Sequence, residues 1–509
     1  MTEMTDRGDA LFENAKHEVA VLPLFLAVLN EFNRENISYC YWKSSRRVHR
    51  ALSGEGDLDL LVGRADQHRA RSVLLQQGLK LFPCVAARDH PSISSFLGYD
   101  EPSGRLLHLH LHFRLIVGEP LLKNYRIPWE DEILARSRRH ENLPIRVLDP
   151  SSEALLLTVR ACLEPSWFDP IALRDRERIM TKFALDHEEL TKQVDAPVFE
   201  SRAAALFGNS LANLLRSAFF ERKDLTRHRP LRRLIRRHFA ASRSYGSIEA
   251  RVRSAGRALF GLTAAVNHRL LHLPRPARRL APGGGCRVAI VGLDGSGKST
   301  VSSTMRDWLA PEVDVASIYF GIGDGRPSLL MRPFKLIVPL ASRLVRTKPK
   351  GASHGKISDK PPTLLYSMLL LVWASVVARE KRTKLATSSR AANRGVVVIT
   401  DRYPQDEIPS FNDGPMLPRL PKAPPWLRRL EASSYALANR LAPDLVIKLI
   451  VGPEITAKRE PDMDRAVIKE RIEGLRRLTF GGARIVCVDA QQPLPSVLAE
   501  VRREIWRLL

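Results

Sequence analysis

The strongest constraint on the fold is the stretch from Arg287 to Thr300, Arg-Val-Ala-Ile-Val-Gly-Leu-Asp-Gly-Ser-Gly-Lys-Ser-Thr. Its apolar, largely β-branched beginning predicts a buried strand. Gly292 to Ser299 then have the spacing G-x-x-x-x-G-K-S, and the amphipathic segment from Val301 predicts a helix. Strand, glycine-rich turn and helix in that order point successive backbone N–H groups, and the positive end of a helix dipole, at one spot. The result is a nest for phosphate. Gly292, Gly295 and Gly297 supply backbone freedom that a Cβ would deny. Lys298 brings a full charge toward β- and γ-phosphates, and Ser299 offers a hydroxyl to Mg²⁺. With Ser296 and Thr300 these residues make the candidate nucleotide-binding set.

The chain beyond this loop alternates strands and helices. Strands are expected at Val313 to Phe320, Gly395 to Asp401, Asp444 to Val451 and Ala483 to Val488, with a helix over Thr363 to Lys384. Asp401 ends a β-branched run, and an acid at the carboxyl end of a parallel strand faces the ligand crevice, near metal and phosphates. Residues 326–362, rich in Pro, Lys and Arg, read as a long insertion.

Gly-Leu-Asp-Gly-Ser-Gly-Lys-Ser-Thr300, the strand ending in Asp401-Arg402-Tyr403, and Pro443-Asp-Leu-Val-Ile-Lys-Leu449 together resemble thymidylate kinase and its nucleoside-monophosphate kinase relatives, over about residues 285–509. The resemblance implies ATP and Mg²⁺ as cofactors and Lys298, Asp294, Asp401 and Arg402 as catalytic. Asp294 would touch the acceptor sugar or position its phosphate. Arg402 would grip the acceptor phosphate with Tyr403 beside it, and Asp401 with Ser299 would stand at the metal. Arg379 matches a helix arginine that faces the acceptor in that family. A lid would come from Lys458 to Arg477, where Lys458, Arg459, Arg465 and Arg471 are candidates to stabilise transition-state charge; Arg459 and Arg471 are carried forward as catalytic. The chain departs from the family after its second strand, where Phe320-Gly-Ile-Gly-Asp324 replaces an Arg-Glu-Pro-Gly-Gly segment. Pro404-Gln-Asp-Glu407 likewise replaces the polar pair after Asp-Arg-Tyr, and Asp413 adds an acid.

Near the start, a helix over Val19 to Phe32 and a strand and turn over Ile37 to Ser45 precede Gly56-Asp-Leu-Asp-Leu-Leu-Val62. Alternation there puts Asp57 and Asp59 on one face. A small polar turn before a strand bearing Asp-x-Asp resembles the nucleotidyltransferase superfamily, and the resemblance implies that Asp57 and Asp59 hold a metal with a third acid from a later strand. The later strand, Leu107-His-Leu-His-Leu-His-Phe113, carries His108, His110 and His112 instead. These imidazoles are either metal ligands of the kind that suit Zn²⁺ or Mn²⁺, or the polar face of a half-exposed strand. The other reading of the aspartates is a strand end satisfied by loop amides or by Arg46 and Arg47.

Ser152 to Leu163 and Leu173 to Val194 read as helices, with Ser151-Ser-Glu153 as a start signal. From Arg222 to Arg279 there are sixteen Lys or Arg against Asp224 and Glu249, which is the main source of the net charge of +25. Arg232, Arg233, Arg236 and Arg237 recur at helical spacing. They form either a stripe for a polyanion or an anionic membrane surface, or a solvated helix face. Pro274 to Pro276 and Ala281 to Gly285 read as a linker.

These readings give an α/β chain in three parts. Residues 1–148 form an α+β nucleotidyltransferase-like domain, 149–280 a helical basic region and linker, and 285–509 a P-loop NTPase-type parallel sheet with helices on both faces. Five scattered cysteines in 509 residues suggest neither a disulfide framework nor a zinc cluster, which fits a reducing cytoplasm. Met1 to Asp9 lacks a signal-peptide pattern, and the apolar run Thr363 to Ala378 falls short of a transmembrane span. The expected activity is ATP-dependent phosphoryl transfer to a phosphorylated acceptor, dTMP by resemblance. The alternatives are a sugar or glycan kinase linked to surface polysaccharide production, and a non-catalytic nucleotide-binding regulator that docks through its basic segment. A homodimer is compatible with the sequence.

Overall fold

A computed structural model describes residues 21–119, 122–164, 176–221, 224–271, 273–321, 364–408, 414–415, 417, 424–459 and 464–509. The insertion at 326–362, Asp413, the amino-terminal Met1 to Asp9, Gly-Asp-Gly325 and the middle of the expected lid lie outside them. The chain divides into two compact units. One runs through Leu81 and from Asp89 to Phe260; the other comprises Phe82–Arg88 and Gly261–Leu509. Among the described residues no helix is long and apolar enough to cross a membrane.

In the first unit, seven of the described strands form a mixed sheet in the order Lys80–Leu81, Ile93–Asp100, Arg105–His112, Leu58–Val62, Tyr39–Tyr41, Arg146–Val147, Arg138–Arg139, and Leu115–Val117 pairs with Tyr125–Ile127 in a separate ribbon. The pairing of Leu58–Val62 with Arg105–His112 is parallel, with Leu58 opposite Leu109 and Asp59 opposite His110. Because side chains alternate along both strands, this register gathers the aspartates and histidines on one face and buries Leu58, Leu60, Leu107, Leu109 and Leu111 on the other. The helix Pro23–Arg34 covers that apolar face with Phe25, Val28, Leu29 and Phe32, a spacing of three and four residues.

A second core surrounds the helix Pro150–Leu163, which is buried along almost its whole length. Its start lies earlier than Ser151-Ser-Glu153 suggested: Asp149 is the cap, accepting from Ser152 N–H at 3.2 Å, and Pro150 opens the first turn. Glu153 is thereby free to accept from Ser45 N–H at 2.8 Å, across the chain.

The expected basic stripe lies on the helix Arg229–His238 and divides. Arg233 and Arg237 are exposed, while Arg232 and Arg236 are half-buried and reach the carbonyls of Thr226 and Cys162 at 3.4 Å each. Two of the four guanidiniums therefore serve the fold, because Leu231 and Ile235 anchor the helix with that side turned inward.

In the second unit the described strands form a parallel five-stranded sheet, in the order Val315–Tyr319, Val397–Asp401, Arg287–Gly292, Leu445–Ile450, Ile485–Asp489. Helices Lys298–Leu309, Leu364–Ala392, Pro425–Arg440, Arg465–Arg477 and Leu494–Leu508 flank it. Strands buried on both faces explain the near-continuous apolar runs. Strand order reverses direction about Arg287–Gly292, which opens a crevice at the carboxyl ends of that strand and of Val397–Asp401. The stretch read as a linker is bonded into this unit: Ala281 N–H donates to Gly395 O at 3.0 Å and Gly285 N–H to Ala392 O at 2.9 Å.

Candidate functional site

The glycine-rich loop leaves the strand at Gly292 and enters the helix at Lys298. Gly295 and Gly297 have φ of 74° and 88°, in the left-handed region where a Cβ is costly. At Gly292 the constraint is close approach: a Cβ there would stand 2.4 Å from Ser296 Oγ and 3.0 Å from the Leu449 carbonyl oxygen. Lys298 is buried, and its Nζ donates to the Leu293 carbonyl at 2.6 Å and lies 3.6 Å from Asp294 Oδ1. Burial pushes the ammonium below its ordinary value, with Asp294 pulling it back. Thr300, on the helix's first turn, is exposed.

The partner of the loop is the end of the neighbouring strand. Ser299 Oγ donates to Asp401 Oδ2 at 2.6 Å, and the other oxygen of the same buried carboxylate has no partner among the described residues. A buried carboxylate oxygen left without a donor is costly unless a ligand satisfies it. A hard cation shared between a hydroxyl and a carboxylate fits this pair, so Ser299 and Asp401 suit Mg²⁺.

Asp294 Oδ1 accepts from Arg402 Nη2 at 2.8 Å. Burial opposes the charge on Asp294, but Arg402, Lys298 and Arg471 prevail and hold its carboxyl below the usual range. Arg402 has φ of 69°, unusual for a residue with a Cβ and costing about 1–2 kcal/mol. Its own N–H bond to Ile290 O at 3.0 Å helps hold it there. Strain of this kind concentrates at ligand sites. From the expected lid, Arg459 Nη1 reaches the Gly295 carbonyl at 2.6 Å. The structure thus gathers Asp294, Lys298, Ser299, Asp401, Arg402 and Arg459 around one loop, with the charge of Arg471 acting on Asp294.

Two expected substrate contacts are not in this group. Tyr403 points into the core, where its hydroxyl donates to Leu441 O at 2.5 Å and Ala438 O at 3.2 Å. The strand ends at Asp401, and the turn through Arg402 at φ of 69° sends the Tyr403 ring into the core as a strut for the end of the helix Pro425–Arg440. Arg379 is exposed on the helix Leu364–Ala392 and makes no polar contact with the loop among the described residues.

The first unit holds a second cluster. His108 Nδ1 lies 2.7 Å from Asp57 Oδ1, His110 Nδ1 3.3 Å from Asp59 Oδ1, and His112 Nε2 3.0 Å from the same Asp59 oxygen. Lys43 Nζ closes on Asp59 Oδ2 at 2.6 Å. The half-exposed polar face considered for these histidines is therefore corrected: His108, His112 and Asp59 are buried. Among the described residues neither Arg46 nor Arg47 pairs with the aspartates, and Arg47 pairs with Asp186 at 2.6 Å instead. Burial lowers His110 to about 3 and His112 to about 4, so both rings are neutral near pH 7 with a lone pair each. Lys43 was not singled out as Asp59's partner. A single Lys closing the apolar run Tyr39-Cys-Tyr-Trp42 was the available signal.

No family model matches the chain. Over 228 residues, 44% of this chain and 93% of the relative, it is 33% identical to the Escherichia coli K12 protein named uncharacterized ATP-binding protein YghS. Over 226 residues, 43% of this chain and 86% of the relative, it is 28% identical to the uncharacterized ATP-binding protein YghR of the same strain. With YghS matched along nearly its whole length at that identity, the chain belongs to the YghS family.

Proposed function

We propose that the second unit binds ATP with Mg²⁺ in the loop Gly292–Thr300 and transfers the γ-phosphate to a phosphorylated acceptor, as a kinase of the thymidylate or nucleoside-monophosphate type. The observation that carries this reading is the Ser299–Asp401 contact at 2.6 Å beneath a glycine loop, with the second carboxylate oxygen unpartnered among the described residues. The names of YghS and YghR, both ATP-binding, support the nucleotide.

In this mechanism the loop N–H groups and Lys298 hold the β- and γ-phosphates. Lys298 trades its bond to Leu293 O for phosphate oxygens as the nucleotide enters. Ser299 and Asp401 would hold the metal, which would neutralise phosphate charge. Arg402, positioned by Asp294, faces the acceptor phosphate, and Arg459 sits at the loop to offset charge that develops during transfer. Phosphoryl transfer depends mainly on positioning and electrostatics, so this set suffices without a covalent nucleophile.

The test is ADP release from Mg-ATP across nucleoside monophosphates and phosphorylated sugars, with Lys298→Ala and Arg402→Ala as controls. Stimulation by a nucleoside monophosphate, lost in both variants, is the expected result. Stimulation by a phosphorylated sugar alone would move the assignment to a sugar kinase. ATP binding without acceptor-dependent turnover would refute the kinase.

A further inference from the structure

We propose that Asp57, His108 and His110 in the first unit form a binding site for a divalent transition-metal cation of the Zn²⁺ class, with Ser95 orienting the His108 imidazole. One ligand atom from each of Asp57, His108 and His110 lies within 4.8 Å of the others. Donors about 2.1 Å from a tetrahedral ion stand roughly 3.4 Å apart, so closure on a cation takes side-chain adjustments on the order of 1 Å.

The surroundings have the form that metal sites require. His108 Nε2 lies 2.8 Å from Ser95 Oγ, and His110 Nδ1 lies 3.3 Å from Asp59 Oδ1. The hydroxyl on the far nitrogen of His108 fixes that ring, as outer partners of ligating histidines do, whereas His110 Nδ1 lies between Asp59 and Asp57 Oδ2, 4.0 Å from the latter, and turns from Asp59 to the cation. Asp59 is itself held by Lys43 at 2.6 Å and His112 at 3.0 Å, so its charge is compensated within the protein. That leaves Asp57, whose side chain is 49% exposed, as the carboxylate facing solvent. The site therefore has a buried imidazole wall and one open side, by which a cation enters and at which a further ligand binds. The short contact of 2.7 Å between His108 Nδ1 and Asp57 Oδ1 is where a cation would take the place of a shared proton.

Donor type selects the ion. Two imidazoles and one carboxylate suit Zn²⁺ and its late first-row neighbours, whereas Mg²⁺ prefers oxygen ligands and keeps its waters. The cluster is thus chemically unlike the Ser299–Asp401 pair and should load independently of nucleotide.

The full chain, stripped with chelator, would be dialysed against Zn²⁺ in the presence of excess Mg²⁺, and metal per chain measured for wild type, Asp57→Asn, His110→Ala and Ser299→Ala. We expect one Zn²⁺ per wild-type chain, unaffected by Ser299→Ala, and affinity at least about tenfold weaker in Asp57→Asn and His110→Ala. Asp57 is half-exposed, so Asp57→Asn should melt like the wild type in metal-free buffer. This separates ligand loss from misfolding if His110→Ala proves unstable. Co²⁺ absorption gives a second readout, with ligand-field bands lost in Asp57→Asn. Absence of stoichiometric Zn²⁺, unchanged affinity in Asp57→Asn, or a thiolate charge-transfer band from the cysteines would each overturn the proposal.

Discussion

Replacing Asp401 by Asn tests whether the Ser299–Asp401 pair is a cation site. The substitution keeps side-chain volume and removes one charge at a position 7% exposed. The bond from Ser299 Oγ at 2.6 Å is charge-assisted, and such a bond contributes about 1.5–3 kcal/mol. If a Mg²⁺ ion shares that carboxylate when nucleotide is bound, the same interaction strength is lost from Mg-ATP binding. At about 1.4 kcal/mol per decade this is roughly a 10- to 150-fold rise in Kd. ATP without metal should bind Asp401→Asn as well as or better than wild type, because a negative charge near the phosphates has gone. The assay is titration of a fluorescent ATP analogue in Mg²⁺ and in EDTA. Ser299→Ala should act at the same place, so the double variant should lose less than the sum of the singles, by about 0.5–3 kcal/mol. Equal weakening of Asp401→Asn in Mg²⁺ and in EDTA, or additive losses in the double variant, would refute the shared-cation argument.

Glu153 provides a pH test of the first unit. Burial raises its carboxyl from 4.5 to about 7, against the Ser45 N–H bond that pulls it down. The folded state therefore holds this proton more tightly than the unfolded one. The stability it contributes is full below about pH 4.5 and is lost as pH rises through about 7, on the order of 3 kcal/mol in all. Glu153→Gln should flatten that window in urea unfolding curves taken from pH 4.5 to 8, and an unchanged pH slope would contradict the assignment. Tyr403→Phe removes a donor from two buried carbonyls and should lower stability by about 1–3 kcal/mol while leaving ATP affinity unchanged. A fall in ATP affinity or in acceptor KM without loss of stability would instead return Tyr403 to the substrate site.

The phosphate loop was legible because its chemistry is local. Glycines at fixed offsets, an apolar run before them and an amphipathic run after them all lie within one βα unit, and the same residues that make the turn also make the nest. Asp401 was legible for a related reason, since a strand that ends in an acid in a parallel sheet aims it at the crevice. Tyr403, two residues further on, was misread because a motif gives no facing, and the backbone after Asp401 turns through Arg402 at positive φ before sending the phenol into the core.

In the first unit the alternation of Asp57 and Asp59, and of the three histidines, was written in the sequence, but their meeting was not. Asp59 and His110 are 51 positions apart in the chain, and only the parallel pairing of Leu58–Val62 with Arg105–His112 sets them opposite each other. A slip of one residue would have turned every histidine to the apolar face. The same holds for the arginines of Arg229–His238, where spacing set the stripe but the burial of Leu231 and Ile235 decided which guanidiniums turn inward. The sequence by itself marked the phosphate loop, the strands of the parallel sheet and the alternation of the aspartates and histidines, because propensity, alternation and turn geometry act over a few neighbours. Tertiary structure alone decided which of those residues share a site, because register and facing come from burying apolar faces contributed by distant parts of the chain.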